Sequence, residues 1–148
     1  MTNFASILDQ KAEDVKAPPL LPTGSYLTVV QGLPETGQSS KKQTDFFKFT
    51  HRIVQPLDDV DHDELEAAFP EGVAGKTVAN TFYLTENSLF MLKQFVENCG
   101  IDMTGKTMRQ CVDELPNCEV VINIRHRPTQ DGTRMFAEIG STAPVSSN

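Results

Sequence analysis

The sequence predicts a mainly β domain in which five strands form a small barrel and one helix follows the third strand. Runs rich in β-branched and aromatic residues recur between residues 23 and 140, and clusters of Gly, Pro and polar residues separate them. A single longer stretch with helical spacing interrupts the series. The length of 148 residues allows one core, and 39% apolar with 22% charged residues is typical of a globular domain.

Residues 1–22 are predicted to form an arm outside the domain. A short amphipathic turn, Phe4–Leu8, is followed by charged residues and then by the proline-rich stretch Ala17–Pro22. Proline at this density excludes helix and central strand, so we expect the arm to lie extended on the surface or on a partner. The domain itself is predicted over residues 23–140, and residues 141–148 are predicted to be a flexible polar tail.

The first three strands are predicted over residues 25–31, 44–54 and 76–84 because these runs are rich in β-formers. Gly32–Lys42 joins the first two strands and is predicted to be a flexible polar loop that ends in two lysines. Residues 57–71 join the second and third strands and are expected to include one helical turn at Asp63–Ala68.

The main helix is predicted to begin after Thr85, a good N-cap, and to end at Gly100. A second helical piece is predicted over residues 107–115. Two closing strands, 118–127 and 134–139, are joined by a turn that contains Asp131-Gly132. The resulting order, three strands, helix and two strands, is that of the oligonucleotide-binding (OB) barrel.

The net charge of −7 comes from one segment of the chain. Seven of the 20 acidic residues lie in residues 57–71, a window without Lys or Arg, so 13 acidic and 13 basic residues remain elsewhere. A net negative charge ordinarily disfavours nucleic-acid binding, because phosphates are repelled. Since the excess is local, the rest of the molecule is neutral and can still carry a basic face.

Aromatic and basic residues are predicted on the strand faces opposite to the core. In the second strand, Phe47, Phe49 and Ile53 share one face, which leaves Phe46 and the residues in phase with it outward. The outward set, with the two loop lysines, is Tyr26, Lys41, Lys42, Phe46, Lys48, Arg52, Arg125, Arg127, Arg134 and Phe136. Rings stack bases while cations offset phosphates, so this set predicts a surface for single-stranded nucleic acid.

The same alternation assigns core positions in the first and last strands. Leu27 and Val29 are expected inside, with Tyr26 outside. Met135 and the residues in phase with it, Ala137 and Ile139, are expected inside the last strand. An alternative remains open, in which the arm or the 107–115 helix covers the outward aromatic residues and the basic residues are ordinary surface groups.

No residue pattern indicates catalysis, a metal or a cofactor. Asp59, Asp61 and Asp63 resemble the opening of a calcium loop, but Glu64 replaces the required Gly, and Pro70 replaces the bidentate Glu. The three histidines lack metal spacing, and the three cysteines lack a C-x-x-C motif and are interpreted as reduced thiols. The acidic N-terminus and the absence of a long apolar run predict a cytoplasmic protein without a membrane partner.

Three stretches resemble the OB-fold single-stranded-DNA-binding proteins of bacteriophages: Leu21–Tyr26, Thr81–Leu84 followed by Leu89–Gly100, and Glu119–Ile124 followed by Asp131-Gly132. The resemblance covers about residues 20–140. It implies a protein of phage replication or recombination that coats single strands in the host cytoplasm without strong sequence preference. Many such proteins end in an acidic tail that recruits partners, whereas Ala143–Asn148 contains no acidic residue.

These observations predict a non-enzymatic protein that binds single-stranded DNA, with RNA left open. Homo-oligomers, and replication or recombination proteins that dock on the acidic segment 57–71, are further candidate partners. The alternative is a virion or assembly protein that binds a neighbouring subunit through its N-terminal arm.

Overall fold

A computed structural model describes residues 19–40 and 43–145, together with Ala12. Within these residues the chain forms six strands and three helices. The strands are β1 (Gly24–Val30), β2 (Glu35–Gln38), β3 (Asp45–Pro56), β4 (Thr77–Tyr83), β5 (Glu119–Pro128) and β6 (Met135–Ala143). The helices are α1 (His62–Ala68), α2 (Glu86–Asn98) and α3 (Met108–Asp113).

All six strands belong to one antiparallel sheet. β1 pairs with β3 and β5, β3 also pairs with β2 and β4, and β5 also pairs with β6. β4 and β6 therefore stand at the two ends of the curled sheet, and no strand ladder joins them within the part of the chain that is described. The prediction of a closed five-stranded barrel is thus corrected to an open six-stranded sheet that keeps the OB-like strand order.

Two segments predicted as irregular are strands. Glu35–Gln38 lies in the predicted loop but pairs with Asp45–Lys48 of β3, which extends beyond the end of β1 and leaves an edge for β2. Ser141–Ala143 lies in the predicted tail but pairs with Val121–Asn123 as the end of β6. Both segments are polar or rich in small residues, so their strand structure comes from pairing with a neighbour rather than from propensity.

Helix α2 covers one side of the core. Leu92, Phe95 and Val96 are buried, and the Phe95 ring packs on Phe49 at 5.0 Å and on Phe82 at 5.2 Å between centroids. Thr85 caps the helix, as predicted, because its side-chain oxygen accepts the N–H of Ser88 at 3.2 Å. The helix therefore fixes the position of β4 relative to the core.

The inward face of β1 is the opposite of the predicted one. Tyr26 and Thr28 are completely buried, whereas Leu27 and Val29 are half-buried on the other face. The Tyr26 hydroxyl donates to the Pro22 carbonyl at 2.7 Å, and the Thr28 hydroxyl donates to the Val120 carbonyl at 2.9 Å. Burying a hydroxyl costs little when it keeps a hydrogen bond, so the polar groups of Tyr26 and Thr28 did not place these residues on the surface.

The arm is described only at Ala12 and from Pro19 onward. Its last two residues, Leu21 and Pro22, are buried, which corrects the expectation that the whole arm lies on the surface. The Leu21 carbonyl lies 2.8 Å from Nε2 of His126, on the inward face of β5. The remaining arm residues lie outside the described part, so the predicted extended conformation stays a prediction.

Candidate nucleic-acid interface

The outward face of β3 carries the predicted aromatic and basic residues. Lys48 and Arg52 are exposed and Phe46 is half-buried, whereas Phe49 and Ile53 are in the core. This division follows from the twofold period of a strand and agrees with the sequence prediction. Lys41 and Lys42 precede this strand but lie outside the described residues.

Phe46 lies between β2 and β4 and packs against Tyr83. The two rings meet edge to face, with centroids 6.1 Å apart and an interplanar angle of 65°. On the other side, a Cβ added to Gly37 would lie 2.8 Å from the Phe46 ring, so only glycine lets the ring lie across β2. Tyr83 is 46% exposed. The Phe46–Tyr83 pair therefore presents ring surface to solvent.

Tyr83 was absent from the predicted site, although the sequence contained a signal for it. Strand alternation in Thr77–Tyr83 buries Val78 and Phe82 partly and exposes Thr81 and Tyr83. Because Phe46 is directly opposite Tyr83 in the ladder, the two rings share the outer face. Applying the alternation rule to this strand would have identified the residue.

A second group of predicted residues lies on β5 and β6. Arg127 is opposite Phe136, and Arg125 is opposite Glu138. The Glu138 carboxylate lies 2.7 Å from Nε of Arg125 and 3.6 Å from Arg127, so one acid faces two guanidinium groups. Phe136 is 40% exposed. This hairpin therefore combines an exposed ring with cations that one carboxylate partly neutralises.

The start of β6 differs from the prediction. Met135 was predicted in the core but is 48% exposed, because it opens the strand at the end of the hairpin and has no covering layer. Ala137 and Ile139 are half-buried against the core, as the alternation predicted. Arg134 precedes the strand and is exposed, and its carbonyl accepts the N–H of Thr129 to close the hairpin loop.

One residue from each group lies at the gap between β4 and β6, which we call the seam: Tyr83 from the first and Arg125 from the second. Tyr83 lines the seam from β4, and Gly140 lines it from β6. A Cβ added to Gly140 would lie 2.9 Å from the Arg125 side chain, so Arg125 lies directly over this part of β6. Tyr83, with Phe46 packed against it, and Arg125, which lies over Gly140, are thus on opposite sides of one depression.

Two predicted site residues do not belong to this arrangement. Tyr26 is in the core, and burial with the nearby acidic residues raises its pKa to about 12, so it presents no ring to a ligand. Arg52 is exposed but six residues along β3 from Phe46, which is about 20 Å in an extended strand. It pairs with Val29 and Thr77, away from the Phe46–Tyr83 pair.

The acidic segment is fastened to the start of β1. Asp59 accepts hydrogen bonds from the backbone N–H and the hydroxyl of Ser25, both at 2.8 Å, and these bonds lower its pKa. Asp61 caps α1 by accepting from the N–H groups of Asp63 and Glu64. Because Ser25 pairs with Asn123, the segment is held two residues from Arg125 along β5.

Other chemistry-bearing residues are separate from the seam. Cys99 and Cys111 are buried, Cys118 is partly buried, and all three are free thiols. Among the described residues, no three His, Cys, Asp or Glu side chains come together as a metal site. None of the helices in residues 19–40 and 43–145 is long and apolar enough to cross a membrane.

Comparisons with known proteins give little beyond this geometry. No protein-family model matches the chain, and no curated protein matches it. Among solved structures, the chain is similar to one described as yeast RPA bound to ssDNA, at 10% identity over 98% of this chain and 86% of that one, with a TM-score of 0.32. A similarity at this level does not establish a shared fold, so the resemblance to bacteriophage proteins stays a prediction.

Proposed function

We propose that this chain is a non-enzymatic single-stranded-DNA-binding protein whose contact surface is the two sides of the seam. The observation that carries the proposal is the Phe46–Tyr83 ring pair, in which Tyr83 is exposed and Phe46 is half-buried. Lys48 lies on the same face of β3, and Arg125 lies across the seam. Every base has a π-face, so a ring pair of this kind binds single strands with little sequence preference.

Stacking is expected to contribute more than charge to this binding. Base stacking on an aromatic side chain is worth about 1–3 kcal/mol per base. Arg125 and Arg127 already face Glu138, so each offers less than a full charge to phosphate. The salt dependence should be moderate, with a slope of about −0.7 in log affinity against log salt for each phosphate neutralised.

The proposed role is coating of single strands exposed during phage replication or recombination, as the sequence resemblance implies. The rings stack on bases and the cations contact phosphates, and both interactions are available to DNA and to RNA. The preference between the two is therefore decided by titrating oligo-dT and oligo-U of equal length side by side.

Fluorescence anisotropy of a labelled oligo-dT tests the proposal. Wild-type protein should bind, and Phe46→Ala should weaken binding of every sequence alike, by about fivefold or more, because one stacking platform is lost. Phe90→Ala is the matched control, since Phe90 is an exposed ring on α2 that does not line the seam. Its affinity should stay at the wild-type value.

Absence of oligo-dT binding up to about 10 μM protein at low salt would refute the proposal, since this range includes even weak specific affinities. Light scattering on the full chain and on a chain lacking residues 1–22 examines the alternative. Assembly that depends on residues 1–22, without any DNA binding, would favour a virion or assembly protein.

A further inference from the structure

A cavity of about 400 Å³ lies in the seam. β4 forms one wall, β6 forms the other, and α2 forms the floor. Its volume falls within the range of small-molecule sites, which is roughly 300–1,000 Å³. The cavity is therefore large enough for a group the size of a nucleoside, and it opens between the two sides of the proposed DNA surface.

The two walls are strand edges. Within the described residues, β4 pairs only with β3, and β6 pairs only with β5. Successive antiparallel pairings make β4 and β6 run in the same direction. The N–H and C=O groups that point away from the paired strand thus have no strand partner within the described residues, although the Thr142 carbonyl accepts from the Asn98 side chain at 3.2 Å.

The side chains of the cavity are neutral. Apolar surface comes from Tyr83, Met91 and Phe95, and Met91 is 61% exposed. Amide groups come from Gln94 and Asn98 on α2. None of the described lining residues is acidic or basic. This lining suits a flat, uncharged group with hydrogen-bonding edges, because such a group contacts both the apolar surface and the free backbone groups.

Positive charge is found outside the cavity, at its rims. Lys48 is opposite Thr81, which lines the β4 wall, and Arg125 lies over Gly140 on the β6 wall. A nucleotide has the matching distribution, with a neutral heterocycle on one side and a charged phosphate on the other. A chain of neutral residues would use the strand edges but would bring no anionic group to Lys48 or Arg125.

We infer that the seam cavity receives one nucleobase of the bound single strand, while the adjoining phosphates lie at the rim near Lys48 and Arg125. This inference rests on the proposed function and adds to it a base-binding pocket distinct from the Phe46–Tyr83 platform. An extended peptide inserted between the two strand edges is the competing occupant, and it predicts that oligo-dT leaves the fluorescence of a tryptophan in the cavity unchanged.

Tryptophan fluorescence reports occupancy, because the sequence contains no Trp. The cavity variant, Gln94→Trp, places the sole tryptophan in the cavity lining. The matched control variant is Gln55→Trp, since Gln55 is exposed on β3 beyond the stretch that pairs with β4. Each variant is titrated with oligo-dT and with an oligomer of equal length that has abasic sites throughout.

If the cavity variant still admits a base, oligo-dT should quench its tryptophan but not that of the control variant. If the new side chain instead fills the cavity, the cavity variant should bind oligo-dT on the order of fivefold more weakly than the control variant. The abasic oligomer should quench neither variant.

Two outcomes would show that the base pocket is wrong while the proposed function stands. In the first, both variants bind oligo-dT with wild-type affinity and the fluorescence of the cavity variant does not change. In the second, oligo-dT quenches both variants equally. If wild-type protein does not bind oligo-dT, the proposed function itself fails.

Discussion

The hydroxyl of Thr28 lies 3.2 Å from Nδ1 of His51 and donates its proton to the Val120 carbonyl, 2.9 Å away. Oδ1 of Asn80 lies 3.0 Å from Nε2 of His51. Because an amide oxygen can only accept, Nε2 carries the proton of the neutral imidazole, and the unprotonated Nδ1 faces the Thr28 hydroxyl. Thr28 and His51 are completely buried, so this chain of contacts joins β1, β3, β4 and β5 inside the core.

Stability should fall as pH falls through the mildly acidic range. Burial lowers the pKa of His51 below its ordinary 6.5, and the Asn80 bond only partly opposes this shift. Below about pH 6.5 this histidine is protonated in the unfolded chain but stays neutral in the folded chain. The free energy of unfolding therefore falls by up to about 1.4 kcal/mol per pH unit. Urea unfolding between about pH 7.5 and 5 measures this loss.

Comparison with two variants assigns the effect to His51. His51→Phe removes the titrating group and should flatten the pH dependence, even though it lowers stability at every pH. His62→Asn changes an exposed histidine and should keep the wild-type dependence. An unchanged slope in His51→Phe would show that another group is responsible.

Tyr26→Phe should affect stability and leave DNA affinity unchanged. The substitution removes the hydroxyl that donates to the Pro22 carbonyl, leaving a buried acceptor without its partner, at a cost of about 1–3 kcal/mol. The free energy of unfolding in urea and the affinity for oligo-dT are measured on the same preparation. Weaker DNA binding by a folded Tyr26→Phe protein would contradict the position of this residue in the core.

Phe46 and Tyr83 should act together in binding. Their rings contact each other edge to face, so removal of either one changes the platform that the other offers. In a double-mutant cycle with Phe46→Ala and Tyr83→Ala, we expect the losses in binding free energy to be non-additive by about 0.5 kcal/mol or more. Additive losses would mean that the two rings contact the strand independently.

Glu138→Gln should tighten binding at low salt. Removal of the carboxylate charge frees Arg125 and Arg127 for phosphate, so the salt slope should steepen by about 1.4 for two contacts. Anisotropy titrations at several salt concentrations measure both effects. Glu114→Gln breaks a comparable pair with Lys106 and is the control. Equal behaviour of the two variants would exclude these arginines from the binding surface.

Neutralising part of the acidic segment should also tighten binding. Asp58→Asn, Glu66→Gln and Glu71→Gln remove three charges and leave Asp59 and Asp61, which bond to Ser25 and cap α1. The segment is held near Arg125, so its negative potential acts on the same strand as the arginine. The gain should vanish at high salt, where charges are screened within a few ångströms. Equal affinity at low salt would leave the segment a role in solubility alone.

The strand order and the face of β3 were predictable from sequence, because large apolar residues alternate there with polar ones. β1 was predicted with the wrong face inside, since the partner that allows Thr28 to be buried is Val120, 92 residues away. β2 has no signal of its own and exists because β3 is longer than β1. Contacts of this kind depend on tertiary structure and cannot be predicted from the alternation of residues within one strand.

The candidate site was predictable only in part for the same reason. Phe46 and Lys48 follow from alternation within one strand. The ion pair of Arg125 with Glu138 depends on the β5–β6 register, which shifts between Asn123 and Ile124. The same strand order fits both a closed barrel, in which β4 and β6 pair, and an open sheet, in which they do not. Only the three-dimensional structure therefore shows that a gap separates β4 from β6.

The unpaired edges of β4 and β6 affect how the purified protein will behave. Two unpaired edges invite edge-to-edge association with other chains, and such association commonly leads to aggregates. A concentrated, ligand-free preparation should therefore lose monomer over time, and the loss should involve the seam. An oligonucleotide that occupies the seam should slow this loss of monomer. The rate of loss with and without a candidate ligand would then indicate whether that ligand binds in the seam.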